Sequence, residues 1–155
     1  MPPERVARPH SVLFACNMNA VRSPMAAALL QQMFGPTMTT ASVGVDPGEL
    51  DPFAVVVMNE IGIDMSRHRP ISFEDYEDLE GLAFDLIVTL TPAAHHKALD
   101  IVGRIPGASV EYWPMPDPTG VEGNREQRLD AYRALRDQLI GHIRERFGRA
   151  SGGNE

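Results

Sequence analysis

The chain has 155 residues, 43% hydrophobic and 23% charged, with a formal net charge of −7. That size suits one domain able to bury about two thirds of its unfolded surface without metals or disulfides, and the composition excludes a disordered or fibrous protein. The acidic balance and scattered arginines exclude a nucleic-acid partner, and no apolar run approaches the roughly 20 residues that span a bilayer, so a cytoplasmic protein without membrane insertion is expected.

Ser11-Val-Leu-Phe-Ala-Cys16 is a short apolar run suited to a buried parallel strand, and it breaks into the polar loop Asn17-Met-Asn-Ala-Val-Arg22. A helix is predicted next over Met25 to Phe34, with Ser23 able to cap it, Pro24 in its first turn and Gly35-Pro36 as its stop. Thr37 to Val45 reads as a second strand, Pro52 to Ile61 as a helix ending at Gly62, and Ser72 to Glu80 as an acidic helix or turn. Phe84 to Leu90 is another buried-strand candidate, Pro92 to Val102 a helix, and Val110 to Trp113 a last strand before the Pro-rich loop Pro114 to Gly120. Asn124 to Phe147 carries Leu129, Tyr132, Leu135, Leu139, Ile140 and Ile143 at the spacing of one face of a long helix.

Alternating strands and helices predict an α/β fold: a single-domain, open, mostly parallel sheet with helices on both faces over residues 11–147. Residues 1–10 read as an N-terminal tail and 148–155 as a flexible C-terminal tail. Ligands of such sheets bind at the carboxyl ends of strands, where Cys16 and its loop fall.

Cys16 is the sole cysteine, which rules out an internal disulfide and a cysteine-rich zinc site. A lone cysteine finishing a strand is ordinarily a small core hydrophobe. Here five residues separate it from Arg22, and Ser23 and a helix follow directly. Backbone N–H groups in such a loop form an anion-binding nest, the helix start adds positive potential, and Arg22 offers a planar fork for two phosphate oxygens. The same field favours the thiolate, the nucleophilic form of Cys16. The phosphate cradle therefore comprises Asn17, Met18, Asn19, Ala20, Val21, Arg22 and Ser23. His95 and His96 are adjacent on a predicted helix and point apart, so they make a poor metal site.

The stretch from Val12 to Ala26, with Cys16, Asn19 and Arg22-Ser23-Pro24 in register, resembles the signature loop of the low-molecular-weight protein tyrosine phosphatases and their arsenate-reductase relatives. Ala41-Ser42-Val43-Gly44 is similar to the family's second-strand segment, Gly62-Ile-Asp-Met-Ser66-Arg-His68 to its Gly-Ile-Asp stretch, and Trp113-Pro-Met-Pro-Asp117-Pro118 to its late Asp-Pro loop. The resemblance implies Cys16 as nucleophile, Arg22 on the equatorial oxygens, and Asp117 as acid and later base. It implies that Ser23 donates a hydroxyl to the departing thiolate, and that Asn19, Ser42 and His68 brace the loop. It implies a phosphorylated protein or small phosphate ester as partner, with neither metal nor organic cofactor, and leaves the oligomeric state open.

Several positions depart from that pattern. Met18 stands where the family has Gly, and Val21 stands at a frequent second cysteine. The tyrosine pair of the mammalian Asp-Pro loop is missing, leaving Trp113 or Phe53 to wall the site, with Asn17 facing the leaving group. With no second cysteine, a thioredoxin-coupled arsenate reductase is excluded. The alternatives to a phosphatase are a single-cysteine arsenate reductase using an external small thiol and a catalytically weak phosphate-binding regulatory module.

Overall fold

The first strand is buried on both faces, and its alternating side chains set the layering. In β1 (Ser11–Cys16), Val12, Phe14 and Cys16 belong to one apolar cluster, whereas Leu13 and Ala15 belong to another on the opposite face. The computed structural model describes residues 8–148, so the parts of the two tails before 8 and after 148 lie outside the described residues.

The sheet contains β2 (Thr39–Gly44), β1, β3 (Leu86–Thr89) and β4 (Ser109–Tyr112) in that spatial order, and every pairing is parallel. One face carries α1 (Arg22–Phe34), α2 (Pro52–Asn59) and α5 (Arg125–Phe147); the other carries α3 (Phe73–Glu80) and α4 (Pro92–Val102). The expected doubly covered α/β sheet is thus the observed one. The chain leaves β1 toward β2 on one side, while β3 lies on the other, so the carboxyl end of β1 is the switch point where such sheets hold ligands.

The longest element shows how pattern becomes packing. Leu129, Tyr132, Leu135, Leu139, Ile143 and Phe147 of α5 are buried against α1 and α2, each fully buried side chain of this size stabilising by about 1.5–3 kcal/mol. Asn124 caps the helix through a reciprocal box with Gln127. Arg133 and Arg136 reach across to Glu60 at the end of α2, and their hydrogen bonds hold the Glu60 carboxyl at about 2, well below its ordinary value. No helix among the described residues is long and apolar enough to cross a membrane.

Boundaries differ from expectation where side chains or turns compete with the ladder. Thr37 is not yet in β2; its hydroxyl donates to the Phe34 carbonyl and closes the turn after α1. Phe84 precedes β3 because its amide bonds the Leu82 carbonyl. The predicted α2 stops at Asn59 and the chain turns through Gly62 at φ 81°, a left-handed conformation suited to glycine. The acidic stretch forms a helix, capped by Ser72 accepting from the Asp75 amide.

Candidate active site

Cys16 ends β1 facing the larger core, so its sulfur sits at the root of the loop, only 2% exposed. Among the described residues, none of the amides from Asn17 to Val21 donates a hydrogen bond to protein. Buried backbone N–H groups are nearly always paired, so such a run at a helix start marks an anion cradle.

Asn19 holds that cradle open. Its φ is 55°, a left-handed conformation that Asn tolerates better than most residues. Its Nδ2 donates to Ser23 Oγ at 2.8 Å and Ser42 Oγ at 2.9 Å, and its Oδ1 accepts from the Ile71 amide at 2.9 Å. His68 Nε2 donates to the Asn19 carbonyl at 2.9 Å. Burial pushes the His68 ring below its ordinary value, partly offset by this bond, which favours the neutral donor form near pH 7. Asn19, Ser23, Ser42 and His68 are therefore brought together beneath the loop.

Ser23 does not cap α1, contrary to one expectation. The helix already includes Arg22, and Val21, at the cap position, offers no side-chain bond. The hydroxyl instead points inward: Ser23 Oγ lies 2.9 Å from Cys16 Sγ and 3.3 Å from the Val43 carbonyl, while the Ser23 amide is 3.4 Å from Sγ. Asn19 supplies a proton to Ser23 Oγ, which leaves the hydroxyl's own proton to turn toward Val43 or toward a charged sulfur.

Met18 fits where glycine was expected because the positive φ falls on the next residue, Asn19. The space comes from elsewhere: a Cβ on Gly48 would lie 2.4 Å from Met18 Cε. Gly44 is needed for a similar reason, since a Cβ there would lie 2.8 Å from the Asn19 amide nitrogen and 2.9 Å from the Asn17 oxygen.

A cavity of about 320 Å³ opens over the loop, lined by Cys16, Met18, Ala20, Val21 and Arg22 of the loop and by Glu49, Leu50, Asp51, Pro52, Asp117 and Thr119. Arg22 Nη1 donates to the Met115 carbonyl at 3.2 Å. Asp117 accepts from the Thr119 amide at 2.9 Å and hydroxyl at 2.7 Å. Burial pushes its pKa up, but these two bonds and the Arg22 charge outweigh that and hold it below the ordinary carboxylate value.

Three expected contributors lie elsewhere. Trp113 is buried, edge-on to Phe14 at 5.9 Å and stacked on His142 at 5.4 Å, and Phe53 packs on Tyr132 at 5.4 Å; neither lines the cavity. The Asn17 side chain accepts from Thr91 Oγ1 at 2.7 Å and does not line the cavity either. His95 serves structure, stacked on Tyr112 at 4.5 Å and 2.9 Å from Thr89 Oγ1.

Glu49, Leu50, Asp51 and Thr119 escaped sequence reasoning. Asp51-Pro52 carries a readable cap-then-proline signal, and Asp51 indeed caps α2 while accepting from Tyr132 OH at 2.6 Å. Asp117-Pro-Thr-Gly carries an Asx-turn signal that places Thr119 on the carboxylate.

A family model described as low molecular weight phosphotyrosine protein phosphatase matches residues 11–147. The chain belongs to this family. It is 30% identical over 134 residues to an arsenate reductase of Bacillus subtilis, covering 86% of this chain and 92% of that protein. The low molecular weight protein tyrosine phosphatase of T. tengcongensis superposes with a TM-score of 0.66 at 28% identity, over 86% of this chain and 94% of that one. The YwlE arginine phosphatase of Geobacillus stearothermophilus superposes with a TM-score of 0.66 at 29% identity, over 90% and 91%.

Proposed function

We propose that this chain is a cytoplasmic, cysteine-dependent phosphatase acting on phosphate monoesters of the phosphotyrosine type. The observation that carries the reading is that Cys16 and Arg22 of one loop and the distant Asp117 line one cavity above a run of unengaged amides. Cys16 Sγ attacks phosphorus and the bond to the leaving oxygen breaks, its electron pair departing with that oxygen as Asp117 supplies the proton. Arg22 and the loop amides from Asn17 to Ser23 stabilise the charge on the equatorial oxygens, work that needs no metal or organic cofactor. Asp117, now a carboxylate, takes a proton from water as its oxygen attacks the phosphocysteine, and the departing sulfur accepts the Ser23 hydroxyl proton as a hydrogen bond.

The low resting pKa of Asp117 favours its base form, opposite to what the first half-reaction needs. A phosphate dianion bound on Arg22 reverses the local field: it neutralises the guanidinium and places like charge beside the carboxylate, raising its proton affinity. Substrate binding thereby arms the acid.

The relatives' names include arsenate reduction and arginine phosphate hydrolysis as well as tyrosine phosphate hydrolysis. The single cysteine leaves a reductase only the route through an external thiol. The test is metal-free hydrolysis of p-nitrophenyl phosphate from pH 5 to 8 by wild type, Cys16→Ser and Arg22→Ala, with arsenate and a small thiol assayed in parallel. Hydrolysis lost in both variants supports the phosphatase. Well-folded wild type that reduces arsenate and hydrolyses nothing replaces it with the reductase, and phosphate binding without either activity replaces it with a binding module.

A further inference from the structure

The cavity mouth carries a charge pattern that the phosphate chemistry does not use. Met18 is 52% exposed, yet its position is set: its carbonyl accepts from the Gly48 amide at 2.9 Å, and its Cε occupies the space a side chain at Gly48 would need. With Leu50 and Pro52 it supplies an apolar wall to the cavity that the leaving group of a phosphate seated on Cys16 must enter. Around that wall stand the carboxyl side chains Glu49, Asp51 and Asp117. Arg22 is the one basic side chain lining the same cavity among the described residues, and a bound phosphoryl group consumes it. Asp51 has both oxygens engaged, by the Phe53 amide and Tyr132, and Asp117 is engaged by Thr119, whereas Glu49 is exposed and its side chain bonds none of the described residues. Arg125 and Arg128 lie over the Phe53 ring at 5.2 and 4.8 Å and do not line the cavity.

Resting on the phosphatase reading, we propose that Met18 and Glu49 set substrate choice: Met18 grips an apolar aryl leaving group and Glu49 selects positive charge next to it. The thioether is polarisable and adapts to an aromatic ring, a contact that neither Trp113 nor Phe53 provides. An acidic flank on the substrate meets three carboxyl groups at the mouth of a chain whose formal charge is −7, whereas a basic flank is steered in. The substrate class is thus a phosphotyrosine-like ester in a basic context, not an acidic one.

The experiment uses two phosphotyrosine peptides that differ only in flanking arginines or glutamates. Their binding to the Cys16→Ser protein is measured by fluorescence anisotropy and their turnover by the parent enzyme. The arginine peptide is expected to bind about tenfold more tightly at low salt, with the ratio shrinking at 0.5 M salt as charges are screened. Adding Glu49→Gln lowers the ratio by about threefold, the scale of one exposed ion pair. Adding Met18→Ala weakens both peptides by about fivefold without changing their ratio, and Met18→Leu restores them. Equal binding of the two peptides, tighter binding of the glutamate peptide, no binding of either, or Glu49→Gln and Met18→Ala without these effects overturns the proposal. Charge preference in binding without hydrolysis of p-nitrophenyl phosphate would sink the phosphatase reading and leave the selectivity standing; hydrolysis without preference would do the reverse.

Discussion

Asn19→Ala is the substitution that most directly tests how the loop is built. It removes two side-chain bonds, to Ser23 and Ser42, at about 1 kcal/mol each, and strips the Ile71 amide of its acceptor at about 1–3 kcal/mol. It also places alanine at φ 55°, which costs about 1 kcal/mol more than a residue suited to that conformation. The expected loss is about 5 kcal/mol, a large part of the 5–15 kcal/mol typical of a domain. Urea unfolding followed by circular dichroism reads this loss directly. Asn19→Gly loses the same bonds but relieves the φ strain, so it should be about 1 kcal/mol more stable than Asn19→Ala. Competitive inhibition by inorganic phosphate should weaken in both, because the loop amides are no longer held in one arc. Asn19→Ala within 1 kcal/mol of wild type, with phosphate affinity intact, would refute the view that this side chain organises the cradle.

Gly44→Ala drives a Cβ against backbone atoms that cannot swing aside, so the loop must shift and phosphate affinity should fall by about tenfold or more; an unchanged inhibition constant rejects the close-packing argument. Thr119→Val removes one of the bonds that hold Asp117 low, so the pH at which kcat declines on the alkaline side should rise; a profile that moves down or stays fixed removes Asp117 from the acid role. Glu60 has a folded pKa of about 2 against 4.5 ordinarily, so its stabilisation is complete above pH 4.5 and is lost as pH falls toward 2. Glu60→Gln should flatten that part of the acid limb in thermal melts, by about 0.5–1 kcal/mol for so exposed a cluster, and an unchanged limb counts against the Arg133–Glu60–Arg136 tie between α2 and α5.

Much of the fold was legible because its signals are local. The apolar run into Cys16 marks β1, and the spacing of Leu129 through Phe147 marks α5 to within a residue. Ser23-Pro24 gave the wrong start for α1 because a serine before a proline is a cap by local rule, whereas here Asn19 and Cys16, which lie outside the helix, capture the hydroxyl and draw it inward. Trp113 looked available beside the Asp-Pro loop. Its amide still pairs with the Thr89 carbonyl, continuing the β4 ladder, and that register points the ring into the core beside Phe14. Met18 raised concern only because the residue that takes the positive φ, and Gly48 that yields the space, are tertiary facts about other positions.

The site divides into a fixed part and a freer one, and their connections differ accordingly. The loop is tied at Asn19 to β2 through Ser42, to the segment after α2 through His68 and Ile71, and to α1 through Ser23. Moving it means breaking bonds to all of these at once, which suits a cradle that must match phosphate oxygens with little reorganisation. Asp117 sits in a proline-rich connection beyond β4, and among the described residues its side-chain bonds run only to Thr119, two residues along its own turn. Its carboxyl can therefore exchange Thr119 for a leaving-group oxygen without disturbing the loop. That division is what the two half-reactions demand: the anion stays in one place throughout, while the same carboxyl must give a proton to one oxygen and take it from another.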